Sequence, residues 1–173
     1  MRILDNLQPP VHQPDTWPDY LSPDVECLRG DVRNRTDWEI ALNGVDAVIH
    51  LAAYQDYLPD FSTFFHVNVV STALLYEIIV AKNLPIQKVI VAGSQASYGE
   101  GKYRDPATGD LHSPLPRPLS QLQAKQWDVL HPTTGQPLEM LPTDEAVTTP
   151  HNSYAMSKIS EEQIALTLGR RYN

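Results

Sequence analysis

The chain is predicted to be an α/β protein with a parallel sheet, and three features carry that expectation. Ala47-Val-Ile-His-Leu51 and Lys88-Val-Ile-Val-Ala92 are short apolar runs rich in β-branched residues, the pattern of strands buried on both faces. Between them, across residues 64–82, Val67, Val70, Leu74, Ile78 and Ala81 recur at helical intervals as one apolar stripe. Strand, helix and strand in that order make a βαβ unit.

The remaining elements follow in chain order. Arg2-Ile-Leu-Asp5 reads as the end of a buried strand, and a loop holding Pro9, Pro10, Pro14, Pro18 and Pro23 follows it. Val25-Glu-Cys-Leu28 reads as a second short strand, ending at Arg29-Gly30-Asp31. Residues 36–43 read as a helix capped by Thr36 and closed at Gly44. From Glu100 to Asp144 the pattern dissolves into a Pro- and Gly-rich stretch in which only residues 120–130 suggest a helix. Loops of that length are functional or disordered as a rule. Helical character returns over residues 152–171. One domain over residues 1–173, with an insertion at about 100–144, is the expected organisation.

Composition narrows the function. Hydrophobic content of 42% and charged content of 20% are ordinary for a soluble globular protein. No signal peptide is read at the start, and no apolar run approaches the roughly 20 residues of a membrane span, so a cytoplasmic protein is expected. A net charge of −8 argues against a nucleic-acid platform, which needs Lys and Arg to displace phosphate counterions. Cys27 is the single cysteine and cannot form an internal disulfide or a thiolate metal cluster.

The chemistry points to Tyr154-Ala-Met-Ser-Lys158. A tyrosine and a lysine four apart on a helix share one face. An ammonium held beside a phenol favours the phenolate, which can move a proton on and off a sugar hydroxyl. Alone the pair is weak evidence, and a solvated helix face is the plainer reading.

Leu4-Asp5-Asn6, Gly30-Asp31-Val32, Val48-Ile-His-Leu-Ala-Ala53, Asn68, Ser94-Gln-Ala-Ser-Tyr-Gly99, Asp144-Glu145 and Tyr154-x-x-x-Lys158 stand together in one order. With them the chain resembles the extended short-chain dehydrogenase/reductases, and among these the NAD-dependent nucleotide-sugar epimerases and dehydratases. The resemblance implies a Rossmann-like, doubly wound parallel sheet with NAD as cofactor and a nucleotide sugar as substrate. Asp5 would take the ribose hydroxyls, since a carboxylate accepts from a diol and repels a 2′-phosphate. Asn6, Asp31, Val32, Leu51, Ala52, Ala53 and Asn68 would line the cofactor with Tyr154 and Lys158. His50 reads as a packed strand residue.

Ser94, Tyr154 and Lys158 would be catalytic. Gln95-Ala96 follows the serine where the family's dehydratases carry an Asp-Glu pair, so the resemblance leans to an epimerase. The insertion, with Gln55-Asp56-Tyr57 and Glu100-Gly101 beside it, resembles that of epimerases acting on dTDP-rhamnose. Leu130-His-Pro-Thr-Thr-Gly resembles a zinc-knuckle turn with His131 and Thr134 in the cysteine places. Without cysteines no metal is expected, and His112 with His131 is too small a ligand set.

Two family features are not found in the sequence: the glycine-rich turn after the first strand, and a C-terminal substrate domain. The expectation is an incomplete fold. In the order 3-2-1-4-5-6 the first strand is central, so the strands at Ile3 and Val48 would lack a shared neighbour. The chain alone would then bind NAD poorly. A homodimer through the helices at 64–82 and 152–171 is implied for the full-length protein. The alternatives are a non-catalytic NAD-binding or interaction protein, an inactive gene fragment, and a reductase with net redox output.

Overall fold

The first strand, β1 (Arg2–Asp5), pairs in parallel with β2 (Glu26–Arg29), in register from Arg2 opposite Glu26 to Asp5 opposite Arg29. The computed structural model describes residues 1–13 and 16–172, so Pro14 of the proline-rich loop lies outside the described residues. β2 begins one residue later than expected, because the Val25 N–H is spent on a turn to Ser22 O at 3.0 Å. Gly30 follows at a crowded point. A Cβ there would lie 2.8 Å from Leu4 Cδ1 and 2.9 Å from Asp37 Cβ, so only glycine lets the chain pass.

Helix α1 (Arg35–Ala41) starts from Asn34, not Thr36. Asn34 is extended (φ −101°, ψ 121°), and its side chain accepts from the Thr36 N–H at 2.9 Å. That is the geometry of an N-cap, which needs a non-helical residue just ahead of the first turn. Trp38 is buried one turn on and donates its indole N–H to Val32 O at 2.7 Å.

Strands β3 (Ala47–His50) and β4 (Lys88–Val91) form a second parallel pair, Ala47 opposite Lys88 through His50 opposite Val91. Val48 joins the core with Val32, Trp38, Leu42, Leu75, Ile78, Ile79 and Ile86. The expectation of strands buried on both faces is corrected here. Ile49 is 65% exposed and Ile90 49%, because the core cluster takes one side of the ribbon and alternate residues point away from it. Among the described residues, β1–β2 and β3–β4 remain separate two-stranded sheets with no strand between β1 and β3. The doubly wound parallel sheet is present in part, with the break where the order predicts it.

The long crossover is one continuous helix with a change of pitch. Helix α2 (Phe61–Phe64) passes into a π-helical turn (Phe65–Val70) and then into α3 (Ser71–Ala81). The wider turn re-phases the helix. The stripe expected from a uniform period holds at Val67, Leu74 and Ile78, which pack in or against the core, but fails at Val70 and Ala81, which are exposed. The core face is built from Ser71, Thr72, Leu75, Tyr76, Ile78 and Ile79. Contrary to expectation, the 21 residues of Phe61–Ala81 are long and apolar enough to cross a membrane. Ser71 and Thr72 are nevertheless fully buried within the protein, and the Thr72 hydroxyl donates to Asn68 O at 3.0 Å. This is how a core helix is built.

Two compact units divide the chain: residues 1–92 with 160–173, and Gly93–Ile159. The second unit is larger than the expected insertion. It is also ordered, where a patternless loop was expected. β5 (Lys102–Arg104), β6 (Leu111–His112) and β7 (Glu139–Leu141) form an antiparallel sheet in the order β6-β5-β7. Strands of two or three residues are too short to show a period, which is why the pattern does not reveal them. The expected helix at 120–130 is only α4 (Leu119–Gln123).

Helix α5 (Ser153–Tyr172) contributes its first turns to the second unit and the rest to the first. Asn152 caps it by accepting from the Ala155 N–H at 2.8 Å, and Arg170 and Arg171 stand at its negative end.

Replacing Asn34 by alanine should cost about 1 kcal/mol by leaving the Thr36 amide without its side-chain acceptor. Urea unfolding of the variant beside Thr36→Ala checks this, and only Asn34→Ala should show the cap loss.

Candidate active site

In the first unit, the expected cofactor residues gather at the carboxyl ends of β1, β2 and β3. Asp5 closes β1, where its Oδ1 accepts from the Leu7 N–H at 2.7 Å and its Oδ2 lies 3.7 Å from His12 Nε2. Asn6 links the two strand ends through Nδ2, donating to Asp31 Oδ2 at 3.3 Å. The Asp31 carboxylate is held further by the Arg33 guanidinium, at 2.9 Å to Oδ1 and 2.6 Å to Oδ2. The Arg33 hydrogen bonds hold the Asp31 carboxyl down at about 2 against the opposing effect of burial. Val32 is buried in the core, where its carbonyl accepts from the Trp38 indole.

After β3, Leu51 is 67% exposed and Ala52 and Ala53 add no bulk, so an apolar side chain and an accessible backbone stand at the strand end. Asn68 does something other than reach solvent. It is fully buried in the π-turn, where its Oδ1 accepts from the Tyr54 N–H at 2.7 Å and its Nδ2 donates to Tyr54 O at 3.0 Å. These two bonds grip the segment that follows Ala53, next to the strand end expected to line the cofactor. The Tyr54 hydroxyl donates to Asp60 Oδ2 at 2.7 Å, and that carboxylate pushes the phenol up to about 12. His50 is buried, as expected of a packed strand residue. Its Nε2 lies 3.2 Å from Ser71 Oγ, and its ring meets Trp38 edge to face at 5.4 Å.

Ser94, Tyr154 and Lys158 all belong to the second unit. Ser94 is extended at the head of a 3₁₀ turn (Gln95–Tyr98), and its Oγ accepts from the Ala96 N–H at 3.2 Å. Tyr154 is part-buried in the first turn of α5, and Lys158, one turn on, is 3% exposed. A lysine so buried is not the solvated helix face of the alternative reading.

The serine turn and the approach to α5 are tied at Thr149. Its N–H donates to Ser97 O at 3.1 Å and its hydroxyl to Tyr98 O at 2.9 Å. Gly99 makes the tie possible. It has φ +64°, and a Cβ would strike Thr149 and lie 2.8 Å from His151 Cδ2. Sequence reading missed Thr149, whose partners are backbone atoms and leave no mark on residue type. A glycine closing the Ser94 segment was the available signal.

Parallel strand pairs joined through helices, with polar groups gathered at the strands' carboxyl ends, define an α/β protein of the Rossmann type. The chain belongs to the NAD dependent epimerase/dehydratase family, whose model matches residues 4–126. It is 31% identical over 169 residues to dTDP-L-rhamnose 4-epimerase of Burkholderia thailandensis, across 94% of this chain and 45% of that protein. It is similar in structure to UDP-glucuronic acid 4-epimerase from Bacillus cereus in complex with NAD. That match has TM-score 0.60 and 20% identity over 99% of this chain and 44% of the other. A dTDP-glucose 4,6-dehydratase from Streptomyces venezuelae matches with TM-score 0.59 and 20% identity, over 87% of this chain and 36% of its own. The chain therefore spans less than half the length of these relatives, and the two structural likenesses speak for the fold.

Two outcomes are expected. The depressed Asp31 carboxyl adds stability that is present above its unfolded value near 3.9 and lost as pH falls through about 2. Asp31→Asn should therefore be less stable than the parent at neutral pH, and the gap should close between about pH 4 and pH 2 in cofactor-free unfolding curves. Gly99→Ala should lose about 1–3 kcal/mol, from left-handed strain and the clash with Thr149, in the same urea assay.

Proposed function

We propose that a protein carrying this chain epimerises a nucleotide-activated sugar, a dTDP- or UDP-sugar, at C4 through a transient 4-keto intermediate, with NAD as a regenerated cofactor. The observation that carries the reading is the buried Lys158 one turn after Tyr154 at the capped start of α5, in the same unit as Ser94. Family membership supports it, and so does the neutral Gln95-Ala96 pair, which provides no carboxyl group for elimination.

The residues fit a dinucleotide by their chemistry. Asp5 presents a part-exposed carboxylate whose Oδ2 is met only at 3.7 Å. It can accept from a ribose diol, with Asn6, Asp31 and the backbone at Val32 beside it. Leu51, Ala52 and Ala53 offer an apolar, unobstructed strand end. When bound, NAD supplies the site that accepts hydride from the sugar C4 and returns it to the opposite face.

Everything else falls to side chains of this chain. Tyr154, as phenolate, takes the proton from the sugar 4-hydroxyl and gives it back after the keto sugar has turned over. Lys158 holds the nicotinamide ribose. Ser94 donates to the sugar oxygen and steadies it. The protein acts in the cytoplasm as a homodimer through the helices at 64–82 and 152–171.

Tyr154→Phe keeps the ring and removes the acid/base, so in a full-length active protein it should lower kcat by about 100-fold or more. NAD binding should change little by calorimetry. Equal turnover by the variant and the parent, followed with dTDP- and UDP-sugars, would sink the assignment.

A further inference from the structure

Three metal-ligating side chains that are separated in sequence meet inside the second unit. Asp105 follows β5, His112 stands on β6, and His131 opens the turn closed by the Leu130–Pro137 bridge. One donor atom from each lies within 4.8 Å of the other two. The two imidazole rings meet edge to face at 4.9 Å, and His131 Nε2 is 3.9 Å from Asp105 Oδ2. Asp105 is 8% exposed, and its Oδ1 is held by the Ala107 N–H at 2.8 Å. His112 Nε2 is shielded from solvent and has no hydrogen-bond partner among the described residues, a costly state for a buried ring nitrogen.

We propose that Asp105, His112 and His131 bind a zinc ion, with water completing the coordination. Two imidazoles and a carboxylate are a zinc ligand set. The cluster was out of reach of the sequence, because the third ligand is an aspartate on a different turn. A tetrahedral ion with bonds of about 2.0–2.1 Å needs its donors about 3.4 Å apart, so the side chains must close by about 1 Å through their own torsions.

One hydrogen bond pattern must also change. His131 Nδ1 accepts from the Thr133 and Thr134 N–H groups at 3.1 and 3.2 Å, which places the proton of the neutral ring on Nε2. Coordination through Nε2 moves that proton to Nδ1 and turns both amides to water, and both threonines are exposed enough to allow it. The ion would then join the turn after β5, strand β6 and the 130–137 turn through one centre.

The test is a zinc titration of the whole chain, stripped with chelator, against a chromophoric competitor. One equivalent should bind. The nitrogen NMR spectrum of His131 should show its proton moving from Nε2 to Nδ1. His112→Gln and Asp105→Asn should each weaken binding by about tenfold or more, with the parent's circular dichroism retained. Equal zinc affinity in the parent and His112→Gln would assign the binding to exposed histidines such as His66 or His151 and overturn the proposal. Absence of saturable binding by the parent would do the same.

Discussion

The architecture of the first unit depends on a change of pitch inside one helix. At Phe65–Val70 the crossover widens into a π-turn, and the residues after it arrive rotated from the phase in which the helix began. That rotation sends Leu75, Ile78 and Ile79 into the core beside Val48 and Trp38. Asn68, inside that turn, is fully buried. The backbone after β3 is then fixed by a carboxamide that mimics a strand partner, accepting from and donating to the same residue. A polar side chain at 0% exposure is tolerable because its bonds replace those lost to water.

The second unit is organised by a different means. Ser94 and the approach to Tyr154 are loop segments, and loops are positioned by hydrogen bonds to one another more than by apolar packing. Thr149 holds the backbone of the serine turn with both its amide and its hydroxyl, and Gly99 removes the side chain that would prevent the approach. Asn152 then starts α5 at a defined residue, which sets where on the helix Tyr154 and Lys158 fall. The placement of Ser94, Tyr154 and Lys158 therefore depends on neighbours for which no reacting role is proposed.

Much of this was legible beforehand, and the reasons for the rest are physical. β1, β3 and β4 announce themselves because parallel strands need apolar, β-branched runs, and Lys158, singled out on the helix with Tyr154, proves buried. The cap at Asn34 was misassigned to Thr36 because both residue types cap helices and only backbone angles separate them. The helix stripe was right at Val67, Leu74 and Ile78 and missed Leu75 and Ile79, because a π-turn adds a residue without any change in composition. The sheet of β5, β6 and β7 left no trace because each strand is too short to alternate. The exposure of Ile49 and Ile90 reflects which surfaces the neighbouring elements cover, and hydrophobicity alone does not report that.

The sheet of the second unit has a consequence for how this chain can vary. Because β5 lies directly beside β7, Arg104 sits opposite Glu139, and everything between them is a closed excursion whose two ends are hydrogen-bonded neighbours. The free energy of closing such an excursion grows only with the logarithm of its length, about 0.6 kcal/mol for each doubling. Segments there can lengthen, shorten or exchange without moving the strands that carry them. An antiparallel pair placed ahead of helix α5 is thus a socket for sequence change, one that leaves the start of that helix where it is.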